Sequence, residues 1–239
     1  MNNKTSAAEA VLLKAIDIEE TVANFNNLGV AYYKLSKYEE ACKYFEKSHS
    51  IAYKKDYSFR PYLNLGMSFT KLKKKKEAEN IAEFLLNSDE AKSDGYIGLI
   101  DIALLYFFNE NYEKAISLFI MAFDEYVIYP NEFGMYLFSL INLKIQKEAK
   151  EFLNRAIKIN KDRINEISDI EDMTIGDKNI IIGDLKHDIN QFKILYQQIT
   201  SGVKPQFVFV PYIEEQCYLF GCTQHENPHY IKKWEVSGK

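Results

Sequence analysis

Arginine is nearly missing from this 239-residue chain: of 30 basic residues only Arg60, Arg155 and Arg163 are arginines. The planar fork that suits phosphates and base edges is therefore scarce. A formal charge of −4 supplies no concentrated positive field either, so nucleic acid is not an expected partner. Cysteine is equally sparse. Cys42, Cys217 and Cys222 form an odd set, which argues against a disulfide scaffold and for a reducing cytosol. The polar first ten residues lack the apolar core of a signal peptide. The longest apolar run, Ile97 to Phe108, is broken by Asp101 and falls short of the ~20 residues that span a bilayer. No Gly-rich phosphate loop, Gly-x-Ser-x-Gly elbow or His-Glu-x-x-His motif occurs. The expectation is a cytoplasmic protein that is not an enzyme, carries no cofactor and has no membrane partner.

With only 5 Pro and 10 Gly, helix breakers are few, while aromatic residues reach 14% with 17 Tyr and 16 Phe. Long helices follow from both facts. Their arrangement is periodic. Phe25, Leu28-Gly29, Tyr32, Ala41, Phe45 and Ser48 are followed by Tyr62, Leu65-Gly66, Phe69, Ala78, Ala82 and Leu85. A third copy reads Leu99, Ile102-Ala103, Tyr106, Ala115, Phe119 and Ala122, and a fourth Phe133, Tyr136-Leu137, Leu140, Ala149, Leu153 and Ala156. The marker alanines 41, 78, 115 and 149 are separated by 37, 37 and 34 residues. Each copy contains two apolar runs spaced by three and four, joined by a short polar stretch, which predicts a helix hairpin. In the first copy Ser36 followed by Glu39 predicts a capping box for the second helix. One hairpin cannot bury its own apolar face, so the copies must stack.

These residues resemble the tetratricopeptide repeat, with an aromatic, Leu-Gly and Tyr in the first helix, then Ala, a large residue and Ala in the second. The first copy matches closely, the third and fourth lack the glycine, and the usual closing proline is absent throughout. The resemblance implies an all-α fold, a right-handed superhelical solenoid of helix hairpins. The expected organisation is an N-terminal capping helix over residues 1–21, started by Ser6, and four repeats over 22–163. A connection and C-terminal capping helix over 164–201 and a tail over 202–239 complete it. The acidic stretch 161–179 is expected to be partly irregular. A helix then follows from the three-and-four spacing of Ile182, Leu185, Ile189, Phe192, Tyr196 and Ile199, and Ser201-Gly202 ends it. The tail, with Phe207-Val208-Phe209-Val210-Pro211-Tyr212 and Cys217-Tyr218-Leu219-Phe220, reads as an extended arm or small β-hairpin.

The resemblance also implies that the first helix of each repeat lines a concave surface where a protein or peptide partner lies. The residues so placed are Asn26, Val30, Tyr33 and Lys34, then Leu63, Met67, Thr70 and Lys71. The third repeat adds Ile100, Leu104, Phe107 and Phe108, and the fourth Phe138, Ile141 and Asn142. This groove is apolar and aromatic. The Lys- and Asn-lined variant that clamps carboxylate tails is not expected, because Val30 and Met67 follow the glycines where that variant has Asn. Contiguous apolar patches of this size mark interfaces. Either a partner inserts an apolar segment, or the chain's own tail, Phe207 to Phe220, or the helix before it fills the groove.

Two other features compete for a function. Cys217, Cys222, His225 and His229 are zinc-type ligands at short spacing, although Asn227-Pro228 breaks any helix that would align the histidines. The plain reading is a packed cysteine and surface histidines. The Lys71–Lys76 run lies in a predicted hairpin bend, with no interleaved aromatics of the kind that form a nucleic-acid platform, and reads as a solvated turn. The Lys-heavy, Arg-poor usage is that of an AT-rich, bacterial genome. The expected function is a non-catalytic protein-binding module: an immunity protein that occludes a toxin, or a dedicated chaperone for a secreted substrate. The alternatives are a peptide-sensing regulator and a scaffold with a zinc-binding tail.

Overall fold

A computed structural model describes residues 2–54, 59–89, 91, 97–125 and 130–203. Among them stand ten helices and no strand: α1 (Asn2–Ile18), α2 (Val22–Lys34), α3 (Tyr38–Lys54), α4 (Arg60–Lys71) and α5 (Lys75–Asn87), then α6 (Leu99–Phe108), α7 (Tyr112–Glu125), α8 (Pro130–Asn142), α9 (Gln146–Asp169) and α10 (Ile175–Ser201). The chain divides into two units, the first holding α1–α7 and the second α8–α10. The arm or β-hairpin expected of the tail lies outside the described residues beyond Val203.

In the first unit α2 pairs with α3, α4 with α5 and α6 with α7, while α1 packs on α2. The repeat pattern explains each contact. Ala41, Ala78 and Ala115 are fully buried, letting the second helix of each hairpin come close. The glycines do the same for the first helix. A Cβ on Gly29 would lie 2.6 Å from the Phe45 ring, and one on Gly66 would lie 2.8 Å from Leu105 in the next repeat and 3.1 Å from Ile81. Only hydrogen fits at these crossings.

The hairpin turns share one geometry. Ser36, Lys73, Glu110 and Lys144 all adopt the left-handed conformation, with φ of 62°, 57°, 63° and 62°. At the first turn Ser36 N donates to Tyr33 O and Lys37 N to Tyr32 O. The same pair of bonds recurs at the other three turns. This is the Schellman arrangement that satisfies the last carbonyls of a helix, with a non-glycine residue in the position glycine favours. Ser36 therefore closes α2 and does not cap α3, contrary to the capping box expected from the sequence. Ser6, too, lies inside α1, which begins at Asn2.

Successive hairpins of the first unit are held by specific polar bonds as well as by apolar contact. Lys114 Nζ reaches Glu79 Oε1 at 2.7 Å and Glu83 Oε1 at 2.8 Å, and Asn111 Nδ2 donates to Glu79. Asn109 Nδ2 donates to the Lys75 carbonyl, and the Lys75 ammonium pairs with Glu110. At the other end, Thr21 Oγ1 caps α2 by accepting from Asn24 N, while Tyr32 Oη donates to Glu9 on α1.

In the second unit α8 pairs with α9, and α10 packs along α9. Here aromatic rings replace the glycine crossings. Phe133 of α8 lies 4.7 Å from the Phe152 ring on α9 and 4.6 Å from the Phe192 ring on α10. α9 runs unbroken to Asp169, so the acidic stretch from 161 is mostly helical and only 170–174 forms the turn. Thr174 caps α10 by accepting from Asp177 N, and Gly202, at φ 74°, ends it.

Candidate functional site

The candidate face, called inner here from the repeat resemblance alone, is defined by helix periodicity. In α2, Phe25, Leu28, Gly29 and Tyr32 turn toward α3, which leaves Asn26, Val30, Tyr33 and Lys34 on another side of a 3.6-residue helix. The corresponding positions on α4 are Leu63, Met67, Thr70 and Lys71, and on α6 Ile100, Leu104, Phe107 and Phe108. α2 touches α4, and α4 touches α6, so the three faces are neighbours. One hydrogen bond joins them directly: Asn64 Nδ2 donates to Asn26 Oδ1 at 3.0 Å, with both residues buried.

Burial divides the candidates. Val30 and Met67 are 1% exposed, Leu104 and Phe107 5%, and Asn26 is fully buried. Tyr33, Ile100 and Phe108 are half-buried, and Lys34 and Lys71 are exposed at the helix ends. Twelve of the fifteen residues expected at the groove thus stand on α2, α4 and α6 of the first unit. The other three, Phe138, Ile141 and Asn142, are half-buried on α8 of the second, where Asn142 Nδ2 donates back to the Phe138 carbonyl. The inner face is a largely enclosed apolar layer with a half-open aromatic rim. Phe107 meets Phe108 and Tyr112 edge-on at 5.2 and 5.9 Å, and Tyr33 meets Tyr38 at 5.1 Å. Tyr33 Oη has no hydrogen-bond partner among the described residues, and burial raises its pKa well above the usual phenol range.

Sequence reasoning missed two polar elements of this face. Asn64 follows Asn26 by 38 residues, one more than the repeat shift, so alignment of the repeats does not pair them. Arg60 Nη1 bonds Asp101 Oδ1 at 2.9 Å, linking the start of α4 to the start of α6, while Asp101 Oδ2 accepts from Gly98 N. Both side chains are mostly buried, and an Arg that is rare in the chain meeting the one charge in an apolar run was a readable signal.

Outside this face, His49 of α3 stacks on Tyr62 of α4 at 4.1 Å and packs on Phe59. Burial lowers its pKa to about 4, which keeps the imidazole neutral near pH 7. Glu46, Glu77 and Asn80 line the same shallow cleft. Cys42 is buried, and its thiol is pushed up to about 11, first by burial and then by Glu46. Such a thiol is a packing group rather than a nucleophile. In the basic run Lys71 and Lys73–Lys76 are exposed, and Lys74 lies over the Phe69 ring. The zinc-type residues Cys217, Cys222, His225 and His229 lie outside the described residues. Among the described ones no three metal-ligating side chains converge. No described helix is long and apolar enough to cross a membrane.

None of the curated proteins compared matches the chain. A protein-family model does. Tetratricopeptide repeats generally mediate protein–protein interaction and are typically non-catalytic. Residues 18–90, which run from the end of α1 through the hairpins α2/α3 and α4/α5, match the family model of the tetratricopeptide repeat.

Proposed function

We propose that this protein is a non-catalytic, cytoplasmic protein-binding module whose inner face, on α2, α4 and α6, takes an apolar segment of a protein partner. The observation that supports this reading is the composition of that face: Val30, Leu63, Met67, Leu104 and Phe107 form an enclosed apolar layer, and Tyr33, Ile100 and Phe108 leave an aromatic rim half open. Rings in a desolvated pocket carry most of the energy of a typical interface, while charges at its edge, here Lys34 and Lys71, set orientation and encounter rate. A dedicated partner suits such a face, as for an immunity protein that occludes a toxin or a chaperone that escorts a secreted substrate in a bacterial cell.

The test is capture of the partner from the native host by the full chain, followed by reconstitution with the purified partner. Phe108→Glu and Lys71→Glu change the rim and not the enclosed layer. Phe108→Glu should weaken binding at least tenfold and Lys71→Glu less, with the helical circular dichroism of both unchanged. Equal partner binding by wild type and Phe108→Glu would refute the reading.

A further inference from the structure

One position in the three hairpins of the first unit carries three different side chains. Tyr33 of α2, Thr70 of α4 and Phe107 of α6 follow one another at the 37-residue repeat shift, each in the last turn of its helix. Phe107 meets Tyr112, the first residue of α7, edge-on at 5.9 Å, and Tyr33 meets Tyr38, the first residue of α3, edge-on at 5.1 Å. A ring therefore performs the packing at this position, and in the third hairpin it does so without a hydroxyl. In the second hairpin a hydroxyl is present and satisfied, since Thr70 Oγ1 donates to the Met67 carbonyl of its own helix at 2.7 Å. Tyr33 Oη differs from both: it is a buried polar atom with no hydrogen-bond partner among the described residues. The phenols beside it are bonded, Tyr32 Oη to Glu9 Oε1 at 2.9 Å and Tyr38 Oη to Ser36 Oγ at 3.4 Å. A buried donor without an acceptor costs the free chain stability. The Tyr33 hydroxyl thus contributes nothing to the fold that a ring like that of Phe107 would not.

We infer that Tyr33 is a specificity-determining residue of the inner face, whose hydroxyl donates a hydrogen bond to a carbonyl oxygen of the bound protein segment. This deepens the functional reading above and rests on it for the existence of that segment. The chemistry selects the acceptor. Burial, and then the neighbouring Tyr38 phenol, hold the Tyr33 pKa far above neutral, so the group stays protonated and has a hydrogen to offer. An apolar segment has few side-chain acceptors but a backbone carbonyl at every residue, and each carbonyl that enters an apolar layer needs a donor. The position allows the contact. Tyr33 is half-buried at the rim, next to exposed Lys34, so a change of rotamer turns its hydroxyl toward an incoming segment. Phe107, 5% exposed, is closed to such a movement. The consequence is selectivity: a segment that presents a carbonyl to Tyr33 gains a bond, and one that presents a methyl group leaves the donor buried and unmatched.

The experiment compares the full chain with its Tyr33→Phe variant, which keeps the ring. In urea unfolding of the free protein, followed by amide exchange in α2 and α3, Tyr33→Phe should raise the midpoint by about 0.3 M. A midpoint that falls overturns the inference, because the hydroxyl then has its acceptor within the free chain. One that stays overturns it too, because the hydroxyl then meets water. The second arm uses short synthetic peptides selected on the full chain from a phage-displayed random library, keeping those whose binding Phe108→Glu weakens at least tenfold. Tyr33→Phe should weaken the same peptides about three- to tenfold, opposite in sign to its effect on stability. A purely structural role would move both in one direction. Peptides that bind Tyr33→Phe as tightly as wild type overturn the inference and leave the functional reading standing. A library that yields no peptide dependent on Phe108 refutes the functional reading, and the inference falls with it.

Discussion

The two units solve the same packing problem by opposite means. In the first, helices approach because side chains are missing: Gly29 faces Phe45, and Gly66 faces Ile81 and Leu105. In the second, large side chains fill the crossing: Phe133 stands between Phe152 and Phe192, and Leu137 occupies the place of the repeat glycine, fully buried. A glycine crossing is nearly invariant in shape, because only one side chain fits it. A ring cluster tolerates exchange of one large group for another of similar volume. That difference accounts for where the family pattern is strong and where it fades.

The largest expected effect tests the ring cluster. Phe133→Ala removes the ring shared by α8, α9 and α10, and a buried Phe truncated to Ala costs about 3–5 kcal/mol. Urea unfolding followed by amide exchange should show the loss in α8–α10. Loss confined to α2–α7 would mean that the stack is not what holds the second unit.

A smaller effect separates two kinds of glycine. Gly66→Ala places a methyl group 2.8 Å from Leu105 and should destabilise by about 1–3 kcal/mol, the range for overpacking. Gly183, in the middle of α10, has nothing within 4 Å of its would-be Cβ. Gly183→Ala should stabilise by about 0.5–1 kcal/mol through helix propensity alone. Thermal melts of the two variants check the signs. Two changes in the same direction would remove the contrast between a glycine that packs and one that does not.

A further effect concerns acid. His49 carries a folded-state pKa of about 4, against 6.5 when exposed, because burial between α3 and α4 penalises its charge. The unfolded chain therefore takes up the proton first. Stability from this group is complete above pH 6.5, falls as the pH drops toward 4, and is level below. His187, on α10, is exposed. Between pH 7 and 4.5 the urea midpoint should fall, and protection should drop in α3 and α4 sooner than in α8–α10. His49→Phe should flatten that slope, and an unchanged slope would remove His49 as its cause.

Much of the helical fold was legible because each repeat residue performs a steric task. An alanine or glycine at a crossing, or an aromatic between hairpins, leaves a mark at fixed spacing. Other parts were hidden for physical reasons. The extent of α9 was missed because a run of Asp and Glu on an exposed helix looks like one on a loop; charge reports solvent, not conformation. The turns were misread because their conformation is imposed by the helices they join: Ser36 suggested a cap, while Lys73, Glu110 and Lys144 suggested nothing. The groove residues were named by position, and whether a partner or the chain itself fills the groove was left open, because apolar side chains read the same whether they await a partner or are already covered.

The four left-handed turns bear on how such a chain changes over generations. Ser, Lys, Glu and Lys all serve at one backbone position, so no residue type is required there and the bonds around it do the specifying. These sites stand along the edge of the hairpins, and three of the four carry charge. They can trade sign or lose it without disturbing a helix, so mutation can retune the electrostatic field around the protein while the buried crossings stay fixed. Surface charge and architecture are thereby written at different positions and can drift independently.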